Sequence, residues 1–269
     1  MNGSAAAWIA KPEALLRMAL PIFMLALGIL AWHLVVAING IPPYVLPGPA
    51  LVARTLVGDW PVLSASLLVT LLTTLQGLAL AAGGGIGLAI LFNQSRLVEY
   101  SLYPYAVILQ VTPVVAIAPL LLIYLPQQAA VLACAWIVAF FPVLANTTLG
   151  LNSVDHNLMD LFRLYGASRW QILRRLQFPT ALPYLLGAMK ISGGLSLIGV
   201  IVAEFAAGTG TDTGLGWTII EAGNRLHIAT MFAALAILSA LGIAIFFALT
   251  ALEWLLLHRW HESALRREM

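Results

Sequence analysis

Cysteine and charged side chains are scarce in this chain of 269 residues. Only 9% of the residues are Asp, Glu, Lys or Arg, and the formal net charge is +2. Such a small positive charge, with the basic residues spread over loops and not along one face, argues against a nucleic-acid-binding protein. The single cysteine, Cys134, excludes a disulfide framework and a zinc site made of several cysteines.

Lysine and histidine are too few or too scattered for the common enzyme sites. Neither of the two lysines, Lys11 and Lys190, follows a glycine, so the chain contains no Walker A phosphate-binding loop. A membrane-embedded enzyme needs His, Asp or Glu side chains gathered at one depth, whereas the histidines lie on different segments. They are His33, His156, His227, His258 and His261. We therefore expect a protein that is not an enzyme and that binds no metal or cofactor of its own.

Apolar residues dominate, since 61% of the chain is hydrophobic and its mean hydropathy is +0.96. Soluble proteins have about 45–50% apolar residues, and roughly 20 apolar residues in a helix cross a bilayer. The sequence therefore predicts an all-α integral membrane protein with about six transmembrane helices. These are residues 15–38, 64–92, 98–124, 127–150, 182–207 and 228–257. The first is long enough to be an uncleaved span and not a signal peptide.

The distribution of Lys and Arg predicts that both termini lie in the cytoplasm, because positive residues near helix ends favour that side. With the N terminus inside, ten such residues face the cytoplasm and two, Arg54 and Arg225, face outward. The ten are Lys11, Arg17, Arg96, Arg163, Arg169, Arg174, Arg175, Arg259, Arg266 and Arg267. This topology divides the chain into a cytoplasmic segment 1–14, a membrane domain 15–257 with a cytoplasmic loop at 151–181, and a cytoplasmic tail 258–269.

Small residues recur at four-residue spacing in the second span. Gly77, Ala81 and Gly85 share one helix face, and Gly83 and Gly87 share a neighbouring one. Such faces let helix backbones approach closely. They indicate either packing within the chain or an interface between subunits.

Three prolines interrupt the third span, at Pro104, Pro113 and Pro119. Each removes a backbone hydrogen bond, so we expect a bent helix. Polar Gln110 and Thr112 beside the bend suit the lining of a pathway. Kinks whose freed groups are satisfied by neighbouring helices give the same pattern, so both interpretations stay open.

A polar interruption, DLFRLYGASRWQILRRLQFP, separates the fourth and fifth spans and holds four of the chain's 13 Lys and Arg residues. Gly166 is suited to the left-handed conformation after a helix end, which predicts a short helix over 157–165. Ser168 and Gln171 have the spacing of a capping box, which starts a second helix. We expect Pro179 and Pro183 to end that second helix before the fifth span begins.

The predicted helix–turn–helix is apolar and edged with arginines, so we expect it to bind in a groove of a cytoplasmic partner protein. The alternative is that the arginines only enforce topology and hold lipid headgroups. They are Arg163, Arg169, Arg174 and Arg175.

This segment resembles the signature loop of permease subunits in binding-protein-dependent ABC importers. The motif matches at Asp160-Leu161-Phe162, at Gly166 and at Leu176-Gln177-Phe178-Pro179. The family more often has two alanines where this chain has Leu161 and Phe162. The segments YVLPGP, LQVTPVVAIAPLLLIY, FFPVLANTTLGLNSVD and GASRWQILRRLQFPTALPYLLGAMKIS look like the nitrate, sulfonate and taurine branch of these permeases. At 124–128 the chain has YLPQQ where that branch usually has an aromatic-Phe-Gly segment.

The resemblance implies the type I ABC importer permease fold, in the cytoplasmic (inner) membrane of a bacterium. It implies as partners a second permease copy in a homodimer, two cytoplasmic ATPase subunits and an extracytoplasmic solute-binding protein. ATP and Mg²⁺ would be bound by the ATPase subunits. The residues implied to couple the permease to the ATPase are Asp160, Leu161, Phe162, Arg163, Gly166, Ser168, Arg169, Trp170, Leu176 and Pro179.

The resemblance also implies a translocation pathway at the dimer axis, lined by spans three, four and five. Polar residues inside a membrane are functional candidates by default. The candidates are Gln110, Thr112, Asn146, Thr147, Ser192, Ser196 and Glu204. Asn146 and Thr147 can equally join helices, and we expect Lys190 to extend to the inner surface or to hold a ligand.

The glycine-rich GTGTDTGLGW after span five offers Gly208, Gly210, Gly214 and Gly216. This loop is expected to touch the binding protein or to gate the pathway, unless its glycines only make turns.

Two questions remain open from the sequence. A secondary transporter or channel without an ATPase is the alternative function, although we see no inverted repeat and the cytoplasmic loop would be unexplained. Importers of this branch carry nitrate, taurine, alkanesulfonates or thiamine-precursor pyrimidines. The segments VAEFAAGTGTDTGLGW and HIATMFAALAILS look closer to the pyrimidine group.

Overall fold

A computed structural model describes residues 6–208 and 213–258, and these residues form helices without any strand. Of the predicted terminal segments, residues 1–5 and 259–269 lie outside the described residues, and residues 6–14 belong to the first helix. The helices are α1 (Ala6–Ile38), α2 (Pro49–Gly58), α3 (Trp60–Gln94), α4 (Arg96–Val111), α5 (Val114–Tyr124), α6 (Gln127–Leu151), α7 (His156–Leu164), α8 (Arg169–Ile172), α9 (Phe178–Ala207), α10 (Leu215–Asn224) and α11 (Ile228–Leu257).

Five of the described helical segments are long and apolar enough to cross a membrane, and α4 with α5 makes a sixth if the pair counts as one span. The predicted all-α membrane fold with about six spans is confirmed. The boundaries of the last span agree with the sequence-based expectation, and α3 is longer than expected at both ends. The chain divides into two compact units, the described residues of Met1–Pro61 with Glu221–Ala233, and those of Val62–Ile220 with Ala234–Met269.

The first unit contains α1, α2 and the residues around the start of α11. The Trp32 and Phe232 rings stack with centroids 5.7 Å apart. The Thr230 hydroxyl donates to Asp59 Oδ2 over 2.9 Å. An aromatic contact and a polar one therefore join the two distant stretches of chain in this unit.

The third span is broken and not merely bent, which corrects the expected continuous helix over 98–124. α4 ends at Val111 and α5 begins at Val114, and the two helices meet at an angle of 101°. Thr112 is extended because the ring of Pro113 disfavours helical geometry in the preceding residue. Pro104 and Pro119 lie inside their helices. Of the three prolines, only Pro113 separates two helices.

The core of the second unit is built around α6, which packs most extensively against α9. Backbones come close where one partner is glycine. A Cβ placed on Gly199 of α9 would lie 2.8 Å from Ala135 Cα and from the Cys134 carbonyl oxygen. A Cβ on Gly85 of α3 would lie 2.9 Å from the Val143 side chain. The predicted Gly77 and Gly85 face thus packs within the chain, while Gly83 and Gly87 have no described neighbour within 4 Å of a Cβ.

We expect Gly199→Ala to destabilise the permease domain and Gly194→Ala to leave it unchanged or slightly more stable. Both glycines lie in α9, where alanine favours a helix by about 0.5–1 kcal/mol. At Gly199 the new methyl meets backbone atoms that cannot rotate away, and overpacking costs about 1–3 kcal/mol. Gly194 has nothing within 4 Å. Thermal unfolding of both variants in detergent checks this, and equal melting temperatures would contradict the packing.

Candidate coupling loop and membrane cavity

The helix–turn–helix between α6 and α9 has the local geometry that its sequence predicts. Asp155 caps α7, because its Oδ1 accepts from Asn157 N at 2.7 Å. Gly166 follows with φ +69°, which confirms the left-handed turn. The Gly166 N–H donates to the Arg163 carbonyl at 2.9 Å, and the Ala167 N–H donates to the Phe162 carbonyl at 3.0 Å. These two bonds form a Schellman motif, which closes α7 and fixes the direction of the next residues.

The predicted capping box at the start of α8 is also present. The Gln171 N–H donates to Ser168 Oγ at 3.3 Å, and Gln171 Oε1 accepts from the Ser168 N–H at 2.7 Å. Each bond satisfies a donor that a helix start otherwise leaves open. The turn from Gly166 to Ser168 is therefore held at both ends.

The coupling loop, defined as α7, its turn and α8, presents apolar side chains that nothing within the described chain covers. α7 has no buried residue. Leu164 and Tyr165 are each 85% exposed, and Trp170 is 65% exposed. The ion pair between Arg163 and Asp160 is also exposed, with 3.4 Å between its charged atoms. In a soluble environment such a surface indicates a binding site for another protein.

The second helix of the loop does not end at Pro179, which corrects the sequence-based expectation. α8 continues through a π-helical turn at Leu173–Gln177 directly into α9. Pro179 is near the start of α9, where a missing N–H costs little because the wider turn already shifts the hydrogen bonds. Pro183 lies inside α9. One helical segment therefore runs from the coupling loop through the fifth span.

Two residues of the signature motif anchor this segment and do not face outward. Leu176 is buried, with 8% of its surface exposed. The buried Gln177 side chain donates to the Leu151 carbonyl at 3.3 Å. In this structure Leu176 is unavailable to a partner, whereas Asp160, Leu161, Ser168 and Arg169 are exposed and Phe162 and Pro179 are partly buried.

Two of the predicted pathway residues, Ser192 and Ser196, bond neighbouring helices. Ser192 Oγ donates to the Ala139 carbonyl and Ser196 Oγ to the Thr74 carbonyl, both at 2.9 Å, and both serines are buried. These bonds tie α9 to α6 and to α3. The Asn146 side chain donates to the Pro142 carbonyl of its own helix, and Thr147 is buried with no described partner for its hydroxyl.

Gln110 and Thr112 lie at the break between α4 and α5. Gln110 is exposed, and the Thr112 hydroxyl donates to the Ile108 carbonyl at 2.6 Å. The structure does not bring these two residues together with the other pathway candidates in a single described cavity.

Lys190 is paired with Glu253. Its Nζ lies 2.6 Å from Glu253 Oε2, and both side chains are about one quarter exposed, at 25% and 26%. The pair joins α9 to α11. Each charge supplies the partner that the other needs in a membrane span.

Glu204, the last predicted pathway residue, is buried near the end of α9 in a set of hydrogen bonds. Thr70 Oγ donates to Glu204 Oε1 at 2.9 Å, and the Gly216 N–H donates to Oε2 at 2.8 Å. Thr70 Oγ itself accepts from the Leu215 N–H at 2.9 Å. Glu204 and Thr70 together therefore hold the first residues of α10 against α3 and α9.

Two glycines of the loop, Gly214 and Gly216, allow the backbone to lie close to the Glu204 carboxylate. A Cβ on Gly214 would collide with the Glu204 carboxylate, and one on Gly216 would lie 2.8 Å from its Oε2. Gly208 has φ +70°, and Gly210 lies outside the described residues. Glycine is thus required here for space as well as for turning.

A cavity of about 460 Å³ opens beside Glu204, where α6 begins and α9 ends. Its polar lining includes Thr73, Gln76, Gln127, Gln128 and Glu204, and Trp217 contributes an aromatic wall. We call this the Glu204 cavity. The volume falls within the roughly 300–1,000 Å³ usual for small-molecule sites.

The match to a family model decides what kind of protein this is. Residues 81–256 match the binding-protein-dependent transport system inner membrane component. The chain belongs to this family. It is thus the permease subunit of an importer of a small solute, and it resides in a membrane as a multi-pass protein.

Curated relatives cover nearly the whole permease. The probable ABC transporter permease of Haemophilus influenzae is 31% identical over 91% of this chain and 98% of that protein. The riboflavin transport system permease RibX of Chloroflexus aurantiacus is 34% identical over 91% and 90%. The formylaminopyrimidine transport permease ThiX of Halalkalibacterium halodurans is 34% identical over 80% and 86%.

Solved structures share the fold of the permease. A chain of an amino acid ABC transporter with histidines is 18% identical with a TM-score of 0.60, covering 74% of this chain and 94% of that one. A chain of the MetNI methionine ABC transporter in an inward-facing conformation is 19% identical with a TM-score of 0.57, covering 71% and 92%.

Sequence reasoning missed most of the residues around Glu204. It did not predict α10, it left Thr70 and Gln76 unmentioned, and it noted Gln127 only as part of the YLPQQ departure at 124–128. Thr70 and Thr74 do recur at a helical spacing in an apolar span, which was the available signal for a buried polar face. Nothing local connects Thr70 with Glu204, which lies 134 residues away.

We expect Thr70→Val to lower the stability of the permease more than Thr74→Val. Both threonines are fully buried in α3. The Thr74 hydroxyl bonds the Thr70 carbonyl of its own helix, whereas the Thr70 hydroxyl joins Glu204 to Leu215. Its loss leaves the buried Leu215 N–H without this acceptor and removes one of the two described donors to Glu204, at about 1–3 kcal/mol. Melting temperatures of the two variants provide the measurement, and a larger effect at Thr74 would refute the assignment.

Proposed function

We propose that the permease receives the work of ATP hydrolysis through its coupling loop, from a separate ATPase subunit that binds this loop in the cytoplasm. The observation that carries the proposal is the uncovered apolar surface of α7 and α8, held in one shape by the Gly166 turn and the capping box. ATP and Mg²⁺ then belong to the partner, since this chain has no Walker A loop.

The coupling loop combines an apolar centre with a charged edge, which suits binding in a groove of a partner protein. Leu164, Tyr165 and Trp170 offer apolar and aromatic anchors, and Arg163 and Arg169 lie beside them and are exposed. Interfaces usually gain most of their energy from a few buried aromatic anchors. Charges at the rim mainly affect the association rate and its salt dependence.

A movement of the loop has a direct route into the membrane domain. α8 and α9 form one helical segment, and Gln177 ties its π-helical turn to the end of α6. ATP-driven closure of the partner would therefore displace α9 together with α6. Transport is then a shift in population between two packings of the spans.

The rest of the assembly follows the family pattern. We propose a homodimer of permeases in the bacterial inner membrane, with both termini cytoplasmic and an extracytoplasmic binding protein that delivers the solute. The excess of Lys and Arg on one side of the spans supports this orientation. The uncovered Gly83 and Gly87 face supports a further helix contact in the assembly.

The names of the relatives leave the chemistry of the solute open. They include permeases for riboflavin and formylaminopyrimidine, and also for aliphatic sulfonates in Bacillus subtilis and nitrate in Synechocystis. We therefore propose only that the transported solute is small, and it can be organic or inorganic. Uptake into proteoliposomes that requires ATP and the ATPase tests the function, and uptake without them would favour a secondary transporter or channel.

We expect Gly166→Val to abolish ATP-driven uptake while Gly166→Asn retains most of it. Valine in the left-handed region costs roughly 1–2 kcal/mol, whereas asparagine tolerates it. A side chain at Gly166 meets nothing within 4 Å, so the effect is purely conformational. Uptake and ATPase co-purification are measured for both variants, with the melting temperature as the folding control. Full uptake by the valine variant would show that the turn is not needed for coupling.

Removal of an aromatic anchor should weaken ATPase binding more than removal of a rim charge. We expect Trp170→Ala, and likewise Phe162→Ala, to cost about 2 kcal/mol or more of binding energy, and Arg169→Ala less. Trp170 and Arg169 are adjacent and both exposed, so they are matched in position. Titration of the ATPase onto permease nanodiscs at low and moderate salt ranks the variants. The reverse ranking would make the arginines the principal contact.

A further inference from the structure

We propose that a cavity lined by Arg96, Arg163 and Arg169 binds the phosphate headgroup of an anionic phospholipid. We call it the arginine cavity. The inference goes beyond the proposed importer function, and it rests on the proposed orientation only in placing the lipid in the cytoplasmic leaflet. It concerns the membrane around the permease and not the transported solute.

The arginine cavity has a volume of about 540 Å³ and is formed by helix ends that are distant in sequence. The end of α3 contributes Asn93, the start of α4 contributes Arg96, and the coupling loop contributes Arg163 and Arg169. Gln177 of the π-helical turn is also in the lining. Because α3 and α4 belong to membrane spans, their ends place this cavity at a membrane surface.

The charge of the arginine cavity is unbalanced. Three arginines line it, and no Asp or Glu of the described residues does so, since Glu99 borders a neighbouring cavity. Within the described part of the chain, Arg96 and Arg169 form no ion pair. Arg163 pairs with Asp160 over 3.4 Å, but a guanidinium has five N–H donors and keeps some for another anion. Charges of one sign gathered in a concave site attract a ligand of the opposite sign.

The donors around the arginine cavity match a phosphate group. A guanidinium can give two parallel N–H bonds to phosphate oxygens, and the side-chain amides of Asn93 and Gln94 add further N–H donors to the lining. α4 has 16 residues and begins at Arg96, and its N-cap residue Ser95 makes no side-chain capping bond. The first N–H groups of α4 therefore have no side-chain acceptor and favour an anion nearby.

Exposed apolar side chains beside the arginine cavity favour a lipid over a soluble phosphate ester. On α4, Leu97 is 79% exposed and Tyr100 is 67% exposed. Tyr100 lines the neighbouring cavity of about 580 Å³, which shares Asn93, Arg96 and Arg163 with the arginine cavity. Since α4 continues from Arg96 into the third span, acyl chains can extend along it while the headgroup stays at the arginines. Basic pockets between membrane helices bind anionic headgroups in this way.

The alternative is that the arginines only enforce topology. Topology depends on how many positive residues lie near the helix ends, and not on whether they line one cavity. Arg174 belongs to the same polar segment between the fourth and fifth spans and is exposed, but it does not line the arginine cavity. It is therefore a matched control, with the same charge on the same side of the membrane.

The test counts lipids bound to the full-length permease with its ATPase by native mass spectrometry from mixed micelles. Dioleoylphosphatidylglycerol is the anionic probe, and dioleoylphosphatidylcholine has the same acyl chains with a zwitterionic headgroup. Glycerol 3-phosphate is the soluble probe, with a phosphate ester but no acyl chain. We expect phosphatidylglycerol to bind at least tenfold more tightly than phosphatidylcholine, and glycerol 3-phosphate to show no saturable binding.

Substitutions inside and outside the cavity locate the binding. Arg96→Gln should weaken phosphatidylglycerol binding at least tenfold, and Arg174→Gln should leave it unchanged. Arg96 lies outside the coupling loop, so the ATPase should stay bound to this variant, as the same spectra report. Arg169→Gln is a second cavity variant, which decides the question if Arg96→Gln does not fold. Melting temperatures in phosphatidylcholine are the folding control.

The proposal is overturned if the two lipids bind equally, if glycerol 3-phosphate binds as tightly as phosphatidylglycerol, or if the cavity variants and Arg174→Gln behave alike. The second outcome would make the cavity a site for soluble phosphate esters, and the third would make lipid binding a general effect of basic surface. ATP-dependent uptake by the parent complex is a separate readout. Uptake without any lipid preference refutes the arginine cavity and leaves the importer function intact, whereas absence of ATP-dependent uptake counts against the importer function alone.

Discussion

The bilayer allows a backbone to leave regular helical geometry only where protein satisfies the freed N–H and carbonyl groups, and this constraint organises the permease. Departures from regular helix are therefore few and informative among the described residues. The chain breaks at Thr112 and Pro113, widens into a π-helical turn before Phe178, and ends α9 at Gly208, whose φ is +70°. The last two departures adjoin the coupling loop and the Glu204 cavity. Backbone irregularity and candidate function thus coincide.

Polar side chains inside the bilayer also need partners within the protein. Ser192 and Ser196 give their hydroxyls to carbonyls of neighbouring helices, and Lys190 and Glu253 neutralise one another. These contacts consume the donors and acceptors they involve, so they stabilise the bundle and leave little for a solute. Glu204 differs because it makes such contacts and also borders a cavity. Burial alone therefore does not show whether a polar side chain also borders a cavity.

Local chemistry explains which features were predictable from the sequence. The Gly166 turn and the Ser168 capping box depend on residues within a few positions of one another, and both were predicted correctly. Spans were predictable because length and apolarity decide them. The prediction that Pro179 ends a helix was wrong, because the effect of a proline depends on whether the preceding turn is α-helical or π-helical. The cavity was not predictable, since Gln76, Gln127 and Glu204 meet only after distant helices pack.

The continuity of α8 with α9 connects the two candidate sites mechanically. The segment from Arg169 to Ala207 has 39 residues and carries Trp170 near one end and Glu204 near the other. At about 1.5 Å per residue these two side chains lie on one helical rod some 50 Å apart along its path. A tilt imposed at Trp170 therefore displaces Glu204 relative to α3. The hydrogen bond from Thr70 to Glu204 crosses the boundary between α3 and α9, so a tilt that displaced Glu204 would change this bond. The cavity that Glu204 lines would then change shape with the position of the coupling loop, which is the property that alternating access requires of a solute site.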